Sequence, residues 1–270
     1  MFLVEGFVIA FGLAVGSFIN VCIYRIPRGQ SVLLPRSSCP KCDHPIRPWE
    51  NIPILSYLFL RGKCRQCGSR ISWVYPTLEV STGILFYLLF LKYGFHTPFF
   101  INMVFFSLLL ILLFVDLFER LLPNVVTLGG LVFGLVMAPF QSEEFLAAFR
   151  LLDLPPVMWT QYVDSLLGIV VGGGFLWLVA ELYFRVKKVE GMGFGDIKMM
   201  AMVGAFLGWA YTWLTILLGS LLGALIGSLY MFVFRKGRRY QLPFGSFLAV
   251  GAIASTLWGR KLLTFYLTQF

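Results

Sequence analysis

Charge is what this sequence has least of. Asp, Glu, Lys and Arg make up 13% of its 270 residues, against 59% hydrophobic residues, and mean hydropathy is +0.82. A soluble globule of this size needs more charge on its surface, so that class is excluded and the bilayer is the natural solvent. Histidine is nearly absent. His44 falls in a loop and His96 near a helix end, and neither has a Ser or Cys partner at a suggestive spacing, which argues against a hydrolytic triad. Gly191, Gly193 and Gly195 do not make a GxGxxG fingerprint and no strand precedes them, so dinucleotide binding finds no support. The first apolar run, Phe2 to Tyr24, carries Glu5 where a removable leader would have a basic region, and Arg25 and Arg28 follow it. It reads as a retained span with its positive flank on the far side, which places the amino terminus outside.

The formal net charge of +9 raises nucleic acid as a partner, but the basic residues sit in short stretches between apolar runs. No continuous basic helix or aromatic-interleaved strand is present, so a nucleic-acid partner is not expected. At about 20 apolar residues per crossing, eight helical stretches are expected, at 2–24, 77–92, 98–117, 122–140, 161–184, 197–211, 212–234 and 243–262. The sixth and seventh are separated by no more than a short turn around Ala210 to Thr212. Starting outside, the segments after spans 1, 3, 5 and 7 become cytoplasmic and, with Lys198 at the start of the sixth span, hold 18 of the 22 Lys and Arg. Cytoplasmic retention of positive charge favours this orientation over its inverse. The segment from Gln141 to Thr160, with Glu143, Glu144 and Asp153, is then an acidic outer loop, and Arg235 to Arg239 a basic inner one. Glycines four residues apart, Gly168 and Gly172 or Gly219, Gly223 and Gly227, read as helix-packing positions in lipid.

The expected class is therefore an all-α polytopic membrane protein of about eight transmembrane helices with one small insertion. Its parts are a first helix at 1–24, a cytoplasmic four-cysteine domain at 25–76, and a seven-helix membrane domain at 77–270. The insertion is rich in Pro, Cys, Arg and Lys and too short for a sizeable core of its own. Cys39-Pro-Lys-Cys42 and Cys64-Arg-Gln-Cys67 are two CxxC knuckles with 21 residues between them. Four thiolates at such spacing close a tetrahedral structural zinc site of ribbon type, with no open position for a catalytic water. Two disulfides or a redox pair are the competing reading, disfavoured in a reducing cytoplasm. Cys22, the fifth, lies inside the first span and reads as packing.

Ionisable side chains in spans are costly, and each raises a functional question. Asp116 closes the apolar run Ile101 to Val115, and Asp196 sits in Gly191-Met-Gly-Phe-Gly-Asp-Ile-Lys198. Counting spans puts both at the cytoplasmic face and at similar depth, so they can meet. Two carboxylates at short range share one proton, and one then activates a water while the protonated one polarises a carbonyl. Gly193 and Gly195 would let an extended substrate approach closely, and Lys198 would bias the pair or anchor the helix. The structural alternatives are Asp196 as a helix cap and Asp116 paired with Lys198 or Arg120.

Four ordered motifs carry a resemblance over nearly the whole chain: GLAVGSFINVCIYRIP from Gly12 to Pro27, the segment from Cys39 to Glu79 with NIPILSYLFLRGKCRQCG and YPTLE, DLFERLLPN from Asp116 to Asn124, and GMGFGDIK. With these the chain resembles the bacterial type IV prepilin peptidases, the bifunctional leader peptidase and N-methyltransferase family. The resemblance implies catalytic roles for Asp116 and Asp196, and prepilins and pseudopilins as substrates, each with a short basic leader, a glycine and a hydrophobic helix. It implies residence in the bacterial inner membrane among its lipids, and methylation of the new amino terminus with S-adenosylmethionine, for which no residues are assigned. The four-cysteine domain favours the bifunctional bacterial type over the archaeal preflagellin peptidases. Asn124 stands where many members have an aspartate. A peptidase without methyltransferase activity remains an alternative. A non-enzymatic scaffold or transporter is a distant one, since it leaves the two aspartates at one face unexplained.

Overall fold

The computed structural model describes residues 2–141, 158–189, 192–234 and 243–269. Among them every regular element is a helix, and the only extended pairing is two isolated bridges in the cysteine-rich segment. In order, the helices are α1 (Phe2–Arg25), a 3₁₀ turn (Pro48–Glu50), α2 (Leu55–Phe59), α3 (Val74–Tyr93), α4 (Thr97–Glu119) and α5 (Asn124–Met137), with a 3₁₀ turn to Phe140. After them come α6 (Met158–Ile169), a π turn (Val170–Phe175), α7 (Leu176–Lys187), α8 (Phe194–Phe234) and α9 (Phe244–Gln269). Lipid offers no partner to a bare peptide group, so apolar runs of this length satisfy their backbone internally as helices. Among the described residues five segments are long and apolar enough to cross a membrane: Phe2–Arg25, Val74–Tyr93, Thr97–Glu119, Trp159–Lys187 and Phe194–Tyr230. The chain is an all-α membrane protein. Most of the expected outer loop (142–157), Gly191 and the basic cluster Arg235 to Arg239 lie outside the described residues.

Two compact units divide the chain, Met1–Phe99 and Phe100–Phe270, with the boundary in the first turn of α4. In the first, α1 packs along α3. A Cβ on Gly12 would come within 2.8 Å of Gly83 Cα, and one on Gly16 within 2.7 Å of Glu79 Cα, so these positions admit no side chain. Such close backbone approach is how helices gain packing energy in lipid. The cysteine-rich connection is tied to this pair. The Ile54 N–H donates to Glu79 Oε2 at 2.8 Å, and Asn20 Nδ2 donates to the Tyr75 carbonyl at 3.2 Å.

In the second unit α8 is the hub, contacted by α5, α6, the π turn and α9. Gly168 of α6 and Gly204 of α8 meet backbone to backbone, and Gly172 abuts the Met200 carbonyl. Gly219 and Gly223 pack on Leu248 and Phe247 of α9, and Phe105 of α4 stacks on Phe206 at 4.3 Å between ring centroids. Two features depart from the expected helices. The 161–184 stretch is interrupted by the π turn, whose Gly172 and Gly173 lie where the chain meets α8. The division of α8 falls at Gly208 (φ 69°, ψ 178°) rather than at Ala210 to Thr212. Only glycine adopts that conformation at little cost. The break frees the N–H groups of the next turn, and the carboxylate of Asp164, 4% exposed, accepts the one from Trp209. Asp164 therefore has a structural role as a cap inside an apolar helix pair.

Candidate active site

Asp116 lies in the last turn of α4, which ends as Arg120 turns left-handed (φ 54°) and Pro123 sets the entry to α5. Asp196 lies in the first turn of α8, where its N–H donates to the Gly193 carbonyl at 3.1 Å and its carboxylate accepts the Gly193 N–H. The two side chains are 6% and 9% exposed. They converge on a third element, the start of α9. A Cβ on Gly245 would lie 2.8 Å from Asp196 Oδ1 and 3.1 Å from Asp116 Oδ2, so both carboxylates reach one point and feel each other's charge. Next to it, the Ser246 N–H donates to Asp116 Oδ2 at 2.7 Å and the Ser246 hydroxyl contacts the same oxygen at 2.8 Å. Each aspartate thus sits at the amino-terminal end of a helix, Asp196 on α8 and Asp116 against α9. Free N–H groups and the positive ends of two helix dipoles favour negative charge there. An arrangement of two buried carboxylates in this field can hold one shared proton and activate a water.

The other residues singled out in the sequence take different places. Gly193 lies beside the Asp196 carboxylate, with its Cβ position 3.6 Å from Oδ2, and a Cβ on Gly195 would lie 3.0 Å from Leu122 Cβ. Lys198 is not on either aspartate. Its ammonium donates to Asn124 Oδ1 at 2.9 Å and lies 4.9 Å from the Phe194 ring centroid. It links the segment after Asp116 to the one containing Asp196. Gly245, Ser246 and Leu122 were not singled out. The signal for the first two was Pro243-Phe-Gly-Ser at the entry to the last apolar stretch, a helix start on the same side as the aspartates.

The cysteines lie in the other unit and form a repeat. Ser37, Cys39, Asp43, His44 and Ile46 have counterparts 25 residues later in Gly62, Cys64, Gly68, Ser69 and Ile71, with the same backbone bonds in both turns. Cys39 N–H donates to His44 and Cys64 N–H to Ser69; Asp43 and Gly68 N–H donate back to Cys39 and Cys64. Asp43 and Gly68 both have positive φ, 53° and 68°. All four sulfurs lie within 4.8 Å of one another, with Cys39–Cys67 at 3.9 Å and Cys42–Cys64 at 4.0 Å, and none is in a disulfide. Tetrahedral zinc with Zn–S near 2.3 Å needs sulfur pairs about 3.8 Å apart, so the set fits. The Lys41 N–H draws the Cys39 thiol down to about 6, and Ser69 lowers Cys67. The His44 N–H favours the Cys42 thiolate as well, but desolvation and the neighbouring sulfurs outweigh it and push Cys42 up to about 12. A bound cation removes that conflict, because it favours all four thiolates together.

Comparison with known proteins points to one family. Residues 10–93 match the family described as Bacterial Peptidase A24 N-terminal domain, and residues 103–228 the Type IV leader peptidase family. The chain is 36% identical over 273 residues to the prepilin leader peptidase/N-methyltransferase of Pseudomonas putida, covering 93% of this chain and 89% of that one. It is 36% identical to the protein of the same name from Pseudomonas aeruginosa over 96% and 92% of the two chains, and 38% identical to that from Bacillus subtilis over 95% of each. No solved structure matches.

Proposed function

The chain belongs to the type IV leader peptidase family, and from that membership we propose that it removes the leader of prepilins and pseudopilins at the cytoplasmic membrane face, with Asp116 and Asp196 as its catalytic pair. That it is a membrane peptidase follows from the family; the residues and the substrate are the reading offered here. The observation that carries it is the convergence of two buried carboxylates on Gly245 in a family of peptidases. Water attacks the carbonyl carbon at the leader junction while the ionised aspartate takes its proton and the other, protonated, hydrogen-bonds the carbonyl oxygen. The tetrahedral intermediate collapses with return of a proton to the departing amine. Such a pair titrates as a unit, so neither aspartate is given one fixed role. A substrate with a short basic leader, a glycine and a membrane-lying helix brings its junction to the face where span counting puts both aspartates. Gly193 leaves room beside Asp196 for an extended backbone, whereas Gly195 is filled by its packing on Leu122. The amine freed by cleavage is the nucleophile that a methyl donor such as S-adenosylmethionine would meet. The names of the relatives, which include N-methyltransferase, support this second step, which needs the first.

The orientation read from the basic residues, amino terminus outside and cysteine segment in the cytoplasm of a bacterium, belongs to the same proposal. The test is cleavage of a purified prepilin-type substrate by the full chain in liposomes, with product mass read for loss of the leader and for one added methyl. Cleavage at the leader junction is expected. A folded preparation that cuts no such substrate overturns the reading, while cleavage without methyl addition overturns only the second step.

The four sulfurs would hold structural zinc, with no ligand position left for water. Replacing Cys39, Cys42, Cys64 and Cys67 by Ser is expected to abolish bound zinc, read by elemental analysis. It should also expose the segment from Arg25 to Tyr75 to proteolysis, since a small domain without its metal rarely stays folded. Unchanged metal content in that variant would sink the zinc assignment.

A further inference from the structure

Ser246 stands where the pair's proton has to be managed. It is the third residue of α9 and 3% exposed. Its N–H donates to Asp116 Oδ2 at 2.7 Å, and its Oγ lies 2.8 Å from the same oxygen and 3.1 Å from the Leu113 carbonyl. A hydroxyl has one proton to give and lone pairs to receive another. The Leu113 carbonyl can only accept, whereas Oδ2 accepts when Asp116 is ionised and donates when it carries the proton. The hydroxyl therefore has two settings that both leave this buried corner satisfied. With Asp116 ionised it donates to Oδ2; with Oδ2 protonated it turns to Leu113 and accepts from the acid.

We propose that Ser246 is the positioning residue of the pair. It anchors Asp116 Oδ2 by two bonds and follows the proton on that oxygen by turning its hydroxyl. The proposal rests on Asp116 and Asp196 being the catalytic pair. A purely structural role, satisfying the first turn of α9, would need only the backbone N–H, which every non-proline residue supplies. The hydroxyl is what a change of protonation requires, because a group that can only donate, or only accept, would be left opposed in one of the two states.

The test compares Ser246→Ala, Ser246→Val and Ser246→Thr with the wild-type full chain in liposomes on one prepilin-type substrate, with Asp116→Asn and Asp196→Asn alongside. Val and Thr share a shape and differ in the hydroxyl. Losing a hydrogen bond to a charged group corresponds to roughly 10- to 100-fold in rate. Ala and Val are expected to lose about that much in kcat with KM within about twofold, and Thr to stay within about threefold of wild type. Wild-type kcat in the Ala variant, or a Thr variant as slow as Val, would overturn the proposal while inert Asn variants keep the catalytic pair. Activity in a folded Asn variant would instead remove the pair, and this proposal with it.

Discussion

Asp116→Asn and Asp196→Asn are each expected to lower kcat for leader cleavage by about 10³-fold or more, since general acid–base groups supply up to about 10⁴ of the rate. Neither should unfold the protein. At position 116 an amide oxygen in the place of Oδ2 still accepts both the Ser246 N–H and the Ser246 hydroxyl, so the start of α9 stays satisfied. At position 196 the amide oxygen can still take the Gly193 N–H. Asp116→Ala separates the two roles. It removes the acceptor as well as the acid, strands a buried N–H, and should be about 1–3 kcal/mol less stable than the Asn variant while equally inert. Rates on a prepilin-type substrate, with thermal unfolding in the same detergent, check both parts. A folded Asn variant cutting near the wild-type rate would reduce that aspartate to a helix cap, the role its geometry also fits.

That double fit explains how much of the site was readable from sequence. Apolar runs with few charges announce membrane helices, and the expected stretches lie on helical segments, five of which, among the described residues, are long and apolar enough to cross a membrane. The cysteine knuckles were readable because their chemistry is local: four ligands, two turns, one spacing. Asp116 and Asp196 stood out by the rarity of acid in such runs. What could not be read is what depends on partners far along the chain. Ser246 is 130 residues from Asp116, and nothing in its own composition says which carboxylate it meets. The break at Gly208 needed Asp164, on another helix, to cap it. Without knowledge of that cap, a turn two or three residues later was equally reasonable. Lys198 looked like a partner for an acid, yet it bonds the amide of Asn124, at a position where family resemblance leads one to expect an aspartate. The π turn followed from contact with the α8 backbone, which the Val170–Phe175 run cannot reveal by itself.

Gly245 offers the sharpest test of the shared site, because it touches both carboxylates without being either. A methyl group there would lie 2.8 Å from Asp196 Oδ1 and 3.1 Å from both Asp116 Oδ2 and Leu122 Cδ1. Carbon does not approach oxygen at 2.8 Å without something moving, and what can move is the Asp196 carboxylate, since Asp116 Oδ2 is held by Ser246. A displacement of about 1 Å at a reacting group can cost about 10²-fold in rate, so Gly245→Ala is expected to lower kcat by about that factor. Gly245→Val, with two more carbons in the same space, should lower it further. Stability should change far less than activity, because the methyl meets side-chain ends and not backbone. Gly223→Ala, on α8 facing Phe247, is the control: its Cβ would find the nearest ring atom at 3.3 Å, and activity should stay near wild type. If Gly245→Ala is as active as Gly223→Ala, the two carboxylates do not work at this point, and the site must be sought elsewhere along α4 and α8. If the loss is confined to Gly245, it locates the reaction at the meeting of α4, α8 and α9 by a change that removes no charge, no acid and no hydrogen bond.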